Sequence, residues 1–439
     1  MEYSVIKTRY NEYWKNESKN FIAFTGGFRE VISRDRFLSI WTFLHVVNEQ
    51  DQTLNKADPI YKMRPFLDEL MRKCVYFYKP KQFLSLDEGM IPTKNRLSIK
   101  QYIKDKPVKF GLKSFMLCEG ETGYIISSEI YTGKEQRIFP ELGAVGNVVV
   151  RLLRAGNAEN KHHILVMDRY YNSVTLFDHL FNVENTLAVG TAMTNRKFYP
   201  KTLKKKKMPR RGDFEFLCRE NITCMVWMDR KPINFISSFH NPQEVGTVNR
   251  RNKDGTLTEV PMPKLVKEYN KFMGGCDRND QMTRLHHTRR HYRWPRRLMM
   301  KGLMWAIYNS YVIMGHFKPE EVKKSTFQNF VDDISLALVG AYRTTAVRRE
   351  SRTDVPQRME NVGMHYPEAP EGVSRDHVCV VCEEKHNKYK KSHPGVAYKD
   401  NPYKKVKTTF WCGFCKRYLC LKKGNTCWQD WHNKLEYWK

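Results

Sequence analysis

The stretch LSLDEGMIP, residues 84–92, decides the fold. Residues that suit a β-strand run straight into an acid pair, Asp87-Glu88. The pattern predicts a strand over Phe83–Leu86 with Asp87 at its C-terminal end. A second stretch repeats the arrangement: HHILVMD, residues 162–168, is a compact apolar strand ending in Asp168. A third acid, Asp277, follows a double glycine at the start of a later helix, with Asp280 three residues on. Taken singly, Asp87 and Asp168 also read as solvated turn residues. Asp277 and Asp280 also read as first-turn acids that suit a helix N-terminus. Two acids at equivalent strand ends argue that they have partners.

The neighbouring segments supply an order. A helix is expected after Ser33, with Phe37, Trp41, Leu44 and His45 at helical spacing. Another is expected from Ile60 to Tyr78, with Met63, Phe66, Leu67, Leu70 and Met71 on one face and Pro80 ending it. Lys109–Cys118 and Gly123–Tyr131 read as a β-hairpin, followed by a helix around Gly146–Leu153. Residues 185–260 hold short strands (FEFLC, TCMVWM, INFIS) and the basic run LKKKKMPRR, 203–211. Lys264–Phe272 reads as helical, and so does the apolar run 298–314. That run contains Lys301, Asn309 and Ser310 and is too short to cross a membrane. Strand–acid, hairpin, helix, strand–acid, then helix–acid is the order of an RNase H-like core. The chemistry explains the acids. Cutting a phosphodiester needs an activated oxygen nucleophile and charge relief on the leaving oxygen, which two divalent ions ~3.5–4 Å apart supply. Carboxylates suit hard Mg²⁺.

Composition points to the same substrate class. The 439 residues suggest roughly two to four domains. Lys plus Arg number 76 against 47 Asp plus Glu, a net charge of +29. That excess exceeds what solubility requires and fits a polyanion, nucleic acid first. The N-terminal stretch lacks the apolar core of a signal peptide, so an intracellular protein with reduced thiols is expected. Of eleven cysteines, Cys74, Cys118, Cys218, Cys224 and Cys276 are scattered and six fall between 379 and 427. Cys379-x2-Cys382, Cys412-x2-Cys415, Cys420, Cys427 and His432 form a zinc-type pattern. The two closely spaced pairs suffice for one tetrahedral site. Cys420, Cys427 and His432 lack one ligand for a second, for which His386 and His393 are candidates. In so small a domain, metal supplies folding energy.

RLHHTRRHYRWPRR (284–297) interleaves Arg284, Arg289, Arg290, Arg293, Arg296 and Arg297 with Tyr292 and Trp294. Arginine forks match phosphate, and aromatics stack on unpaired bases. The same segment also reads as a basic helix face over a core Trp.

These blocks resemble the piggyBac-type DDE transposases and their transposable element-derived relatives. Residues 84–118 resemble the first catalytic block, including K-P-x-K-x-G-x-K at Lys106, Pro107, Lys109, Gly111 and Lys113. VMDRYYNSVTLFDHL (166–180) resembles the second block and YNKFMGGCDRNDQM (269–282) the third. Residues 290–314 resemble the Arg- and Trp-bearing helical stretch that follows, and 33–48 the helical segment before the first strand. The resemblance implies an α+β multidomain chain. Its RNase H-like mixed-sheet catalytic core would span 83–189 and 263–285, with an insertion domain at 190–262. A flanking helical dimerisation and DNA-binding domain would comprise 1–82 and 286–345. The polar, Pro- and Gly-rich segment 346–376 reads by composition as a linker, and the cysteine cluster makes 377–439 a zinc-binding domain. Asp87, Asp168 and Asp277 would hold Mg²⁺ as the catalytic triad, with Asp280 an additional acid near the site. Lys106, Lys109 and Lys113 would face phosphate, and the tail, with one or two Zn²⁺, would bind DNA. The basic run 203–211 reads as a DNA contact or a nuclear import signal. The first block arrives early in this chain, so a truncated N-terminal region is also implied.

The function expected is a DNA transposase that cuts and joins phosphodiesters at TTAA sites. It would act as a homodimer on double-stranded DNA in the nucleus, with no membrane and no small-molecule substrate. The alternative is a domesticated, catalytically silent DNA- or chromatin-binding protein. A zinc-dependent ligase or reader built on the tail is a further reading.

Overall fold

The computed structural model describes residues 13–14, 28–104, 106, 108–133, 137–204, 208–252, 254–284, 293–340, 357–359, 365–369, 377–422 and 424–439. Two compact units divide the chain, Met1–Thr345 and Ala346–Lys439.

The first unit is built on one mixed sheet. Its early strands are β1 (Phe83–Pro92), β2 (Gln101–Tyr102), β3 (Phe110–Glu119), β4 (Ile125–Ile130), β5 (Ile164–Met167) and β6 (Leu187–Thr191). β1 pairs antiparallel with β3, which pairs antiparallel with β4 and, at its start, with the short β2. On its other side β1 pairs parallel with β5, and β5 parallel with β6. The order β4-β3-β1-β5-β6, with its antiparallel half and parallel half, is RNase H-like.

Side-chain alternation explains why the centre is buried on both faces. Leu165 and Met167 join Leu84 and Leu86 in one core cluster, under the helices Gly143–Ala155 and Val174–Asn182. Ile164 and Val166 join Val189, Leu265, Val266 and Phe272 in the other, under the helix Lys264–Phe272. A strand buried on both faces needs an unbroken apolar run rather than an alternating one, and the ILVM of β5 supplies it. The Ser173 side chain caps Val174–Asn182, accepting from the Leu176 N–H at 3.2 Å.

Several elements differ from expectation. β1 does not stop at Leu86. Residues 87–92 continue to pair with β3, from Asp87 opposite Met116 to Pro92 opposite Gly111. Only the parallel partner ends there, because Leu86 faces Met167, the last residue of β5. Asp87 is therefore mid-strand on one side and at an open strand end on the other. The helix after Ser33 is short, Arg34–Phe43, with Ser33 as its cap. Of the inserted segment, β7 (Phe214–Arg219), β8 (Ile222–Met228) and β9 (Pro232–Ser237) extend the main sheet, because β9 pairs antiparallel with β6. β10 (Val245–Arg251) and β11 (Leu257–Pro263) form a separate hairpin.

The helices on either side of the core in sequence meet in space. Trp294–Phe317 crosses Arg64–Phe77 at Gly302, where a Cβ would lie 2.5 Å from Phe66 Cε1. Only a glycine permits that approach. No helix among the described residues is long and apolar enough to cross a membrane.

The second unit holds the helices Val380–Ser392 and Cys427–Asn433 and a small sheet of Pro367–Glu368, Trp411–Cys412 and Arg417–Tyr418. The segment 346–376, expected to be a linker, contributes part of this unit. Pro367–Glu368 pairs with Trp411–Cys412. Arg358 donates to the carbonyls of Trp431, Lys434 and Leu435.

Candidate active site and metal centres

Strand alternation sets the first two acids. Phe83 lies opposite Ile164, and Ser85 opposite Val166. Continuing the pleat brings Asp87 beside Asp168, both toward the face covered by Lys264–Phe272. Tyr269 on that helix feels both: burial, mainly, with the Asp168 and Asp87 charges added, pushes its hydroxyl up to about 12. The next helix, Gly275–Arg284, starts against the same face. Cys276 Sγ donates to the Ser85 and Met116 carbonyls at 3.3 and 3.4 Å. A Cβ on Gly275 would meet the Glu119 carbonyl oxygen at 2.7 Å and Ser85 Cβ at 2.9 Å. Gly275 thus lets the helix begin in contact with β1, whereas a Cβ on Gly274 would meet nothing within 4 Å, and Asp277 is exposed in the first turn.

Each acid is held differently. Asp168 accepts from Thr191 Oγ1 at 3.1 Å and from the Arg169 N–H. Asp87 accepts from the Glu88 N–H at 2.8 Å. Asp280 is ion-paired with Lys301 at 2.8 Å. Burial, then the adjacent Glu88 carboxylate, pushes Asp87 up to about 7 against the pull of Lys106. Burial also works against the Glu88 anion, but Lys113, Lys106 and the Tyr171 hydroxyl (2.9 Å) outweigh it and hold Glu88 below its usual range. Lys106 is disfavoured as a cation by burial, yet Asp87, Glu88, Asp277 and Asp280 together raise its pKa. One ammonium therefore senses Asp87, Glu88, Asp277 and Asp280. It donates to the Glu88 carbonyl at 3.2 Å.

Among the described residues, the groups of three or more ligand atoms within 4.8 Å of one another are cysteine and histidine sets in the second unit.

The basic residues divide. Lys109 and Arg293 are exposed. Lys113 Nζ lies 4.6 Å from the ring centres of both Phe115 and Tyr170. Arg296 lies over the Trp41 ring at 4.8 Å, and Arg297 is buried and donates to the Pro92 carbonyl at 2.9 Å. Trp294 packs on the core edge. Arg289, Arg290, Pro107 and Lys205–Lys207 lie outside the described residues.

In the second unit, Cys379, Cys382, Cys420 and Cys427 form one group, and His365, Cys412, Cys415 and His432 the other. The expected assignment is corrected here. The two closely spaced pairs do not share a site, and the eighth residue is His365 rather than His386 or His393. His386 is turned to the Tyr403 carbonyl at 2.6 Å, and His393 is exposed. The ligand sets interleave along the chain, so each site ties together distant segments. Spacing within one pair cannot reveal which other pair it joins.

The distances fit tetrahedral zinc. Zn–S bonds of about 2.3 Å put sulfurs about 3.8 Å apart, and Cys382 Sγ lies 3.7 Å from Cys420 Sγ and 3.5 Å from Cys427 Sγ. His365 Nδ1 lies 3.4 and 3.3 Å from Cys412 and Cys415 Sγ. His432 Nε2 lies 3.6 Å from Cys415 Sγ, while its Nδ1 donates to the Trp428 carbonyl at 2.8 Å. That second contact fixes the ring and leaves Nε2 free to ligate.

A protein-family model described as Transposase IS4 matches residues 3–311, more than half of the sequence. The chain belongs to the piggyBac transposase family. PiggyBac transposable element-derived protein 3 of Homo sapiens is 31% identical over 263 residues, covering 56% of this chain and 42% of that protein. PiggyBac transposable element-derived protein 2 of Homo sapiens is 28% identical over 269 residues, covering 57% and 43%. The chain thus spans less than half the length of these two curated relatives. A cryo-EM structure of the piggyBac transposase synaptic complex with hairpin DNA superimposes with a TM-score of 0.64 at 22% identity. The match covers 90% of this chain and 79% of that one, a likeness of fold.

Sequence reasoning missed His365 and Lys301 as site residues. His365 carries no local signal, being 14 residues before Cys379 in a polar segment. Lys301 had one: a lone ammonium inside an apolar helix needs a buried partner.

Proposed function

We propose that this chain is a DNA transposase that cuts and joins phosphodiesters at TTAA sites, with Asp87, Asp168 and Asp277 as metal-holding acids. The observation that carries the reading is that two strand ends and one helix start turn toward one face of the sheet: Tyr269 feels Asp168 and Asp87, and Lys106 feels Asp87 and Asp277. The residues fit a hard dication. Asp87 is a half-buried carboxylate beside a second one, and a bound divalent ion would relieve that repulsion. When bound, Mg²⁺ would activate the attacking oxygen and stabilise the leaving one. The protein's own groups orient the acids: Thr191 fixes Asp168, and Tyr171 and Lys106 hold Glu88. The reading gives phosphate contact to the exposed Lys109 and Arg293, whereas Arg297 donates to the Pro92 carbonyl at the end of β1.

The same reading assigns Zn²⁺ to the two Cys/His groups and DNA binding to the unit that carries them. It also assigns a homodimer to the working assembly and the nucleus as its compartment. One rival is a DNA-binding protein that does not cut; the human relatives are named as transposable element-derived. A donor carrying the element's own terminal repeats between TTAA sites decides. With Mg²⁺, the wild type should excise the insert and Asp168→Asn should lose at least about 10³-fold in rate. An uncut donor with the wild type bound to it would establish the rival.

A further inference from the structure

Lys301 is the most deeply buried ammonium near the acids, its side chain 7% exposed on the helix Trp294–Phe317, where Leu298, Met300, Met304 and Trp305 are buried around it in sequence. It donates to Asp280 Oδ1 at 2.8 Å and to Thr283 Oγ1 at 2.7 Å, both on Gly275–Arg284. Thr283 in turn donates to the Asn279 carbonyl at 2.7 Å, and Asn279 donates to the Gly123 carbonyl at 2.9 Å. One buried cation thus grips the acid-bearing helix two turns deep, and that helix is fastened to the sheet hairpin beneath it. The Asp280 carboxylate also rests over Gly89, whose Cβ would lie 2.9 Å from Oδ2. Asp277, three residues earlier, is exposed at the helix start.

We propose that Lys301 is a positioning residue. It neutralises Asp280 and clamps Gly275–Arg284, so that Asp280 is a structural counter-ion and Asp277 is the acid this helix offers to metal. The proposal rests on the metal-dependent reading above and divides the roles of its two helical acids. The physical reason is economy of charge. A buried ammonium without a partner is strongly unfavourable, so Asp280 is committed to Lys301 before any metal arrives. Removing either partner should loosen the helix, while the amide of Asp280→Asn still accepts from Lys301.

The test uses the full chain without DNA and Mn²⁺ alone as the probe, its free concentration read by electron paramagnetic resonance. Asp277→Asn should weaken Mn²⁺ binding at least tenfold with the melting temperature unchanged. Asp280→Asn should keep Mn²⁺ affinity within twofold of wild type. Lys301→Met should lower the melting temperature by several degrees, and by clearly less in the Asp280→Asn background. Lys301→Gln replaces it if Lys301→Met does not fold, with the same coupling expected. Equal weakening of Mn²⁺ binding by Asp280→Asn and Asp277→Asn would overturn the proposal, and so would additive melting shifts. If Asp87→Asn and Asp168→Asn both left Mn²⁺ binding intact, the metal-dependent reading itself would fail, whatever the melting shifts.

Discussion

Gly89 lies two residues beyond Asp87 on the same face of β1, and its missing side chain decides how near Asp280 can come. A Cβ there would meet Asp280 Oδ2 and Met116 Cε, each at 2.9 Å. Neither neighbour can yield freely, since Asp280 is ion-paired to Lys301 and Met116 is buried. Overpacking of this kind costs about 1–3 kcal/mol. Gly89→Ala should destabilise the chain by that amount in thermal or denaturant unfolding. Gly246→Ala, whose Cβ would meet only the Met262 carbonyl oxygen at 3.8 Å, should stay within about 0.5 kcal/mol. Equal effects would mean that the contact at Gly89 imposes nothing. At this level the sequence was legible for Asp87 and Asp168, because apolar runs ending in acids are a local pattern. It was not legible for the Asp280–Lys301 pair. The two residues are 21 positions apart, and their meeting depends on how two helices cross.

Among the elements, short contiguous strands and helices followed from periodicity, and the helix Lys264–Phe272 falls where the sequence placed it. What pairing does to a strand did not follow. β1 runs on to Pro92 because β3 continues beside it, and β9 joins β6 across a gap of 40 residues that no local pattern encodes. The zinc-type unit teaches the same lesson in ligands. Its segment around His365 looks like polar linker, yet His365 lies within 3.4 Å of both Cys412 Sγ and Cys415 Sγ. Zinc content should follow the grouping. The full chain should carry two zinc ions per molecule, and His365→Ala should drop one while Cys379→Ser drops the other. His386→Ala should keep both. Metal analysis of the purified proteins reads this directly, and a one-zinc His386→Ala protein with a two-zinc His365→Ala protein would reverse the assignment.

Charge acts over the molecule as a whole. The surplus of 29 positive charges is more than the core ion pairs among the described residues use, such as Glu129 with Arg151, Glu184 with Arg154 and Asp280 with Lys301. The excess therefore faces solvent, where it either binds a polyanion or repels itself. The DNA-binding proposal makes this quantitative. Each phosphate neutralised releases counterions and contributes about −0.9 to the slope of log affinity against log salt. Six or more contacts would give a slope steeper than about −5, a loss of roughly a thousandfold or more between 50 and 200 mM salt. The slope belongs to the charge and not to the acids. Asp87→Asn and Asp168→Asn should bind double-stranded DNA with the wild-type slope while failing to cut it. Neutralising the exposed Lys109 and Arg293 together should flatten the slope by about 2. Equilibrium binding across a salt series checks both, and a wild-type slope shallower than about −2 would show that this charge serves something other than the DNA backbone.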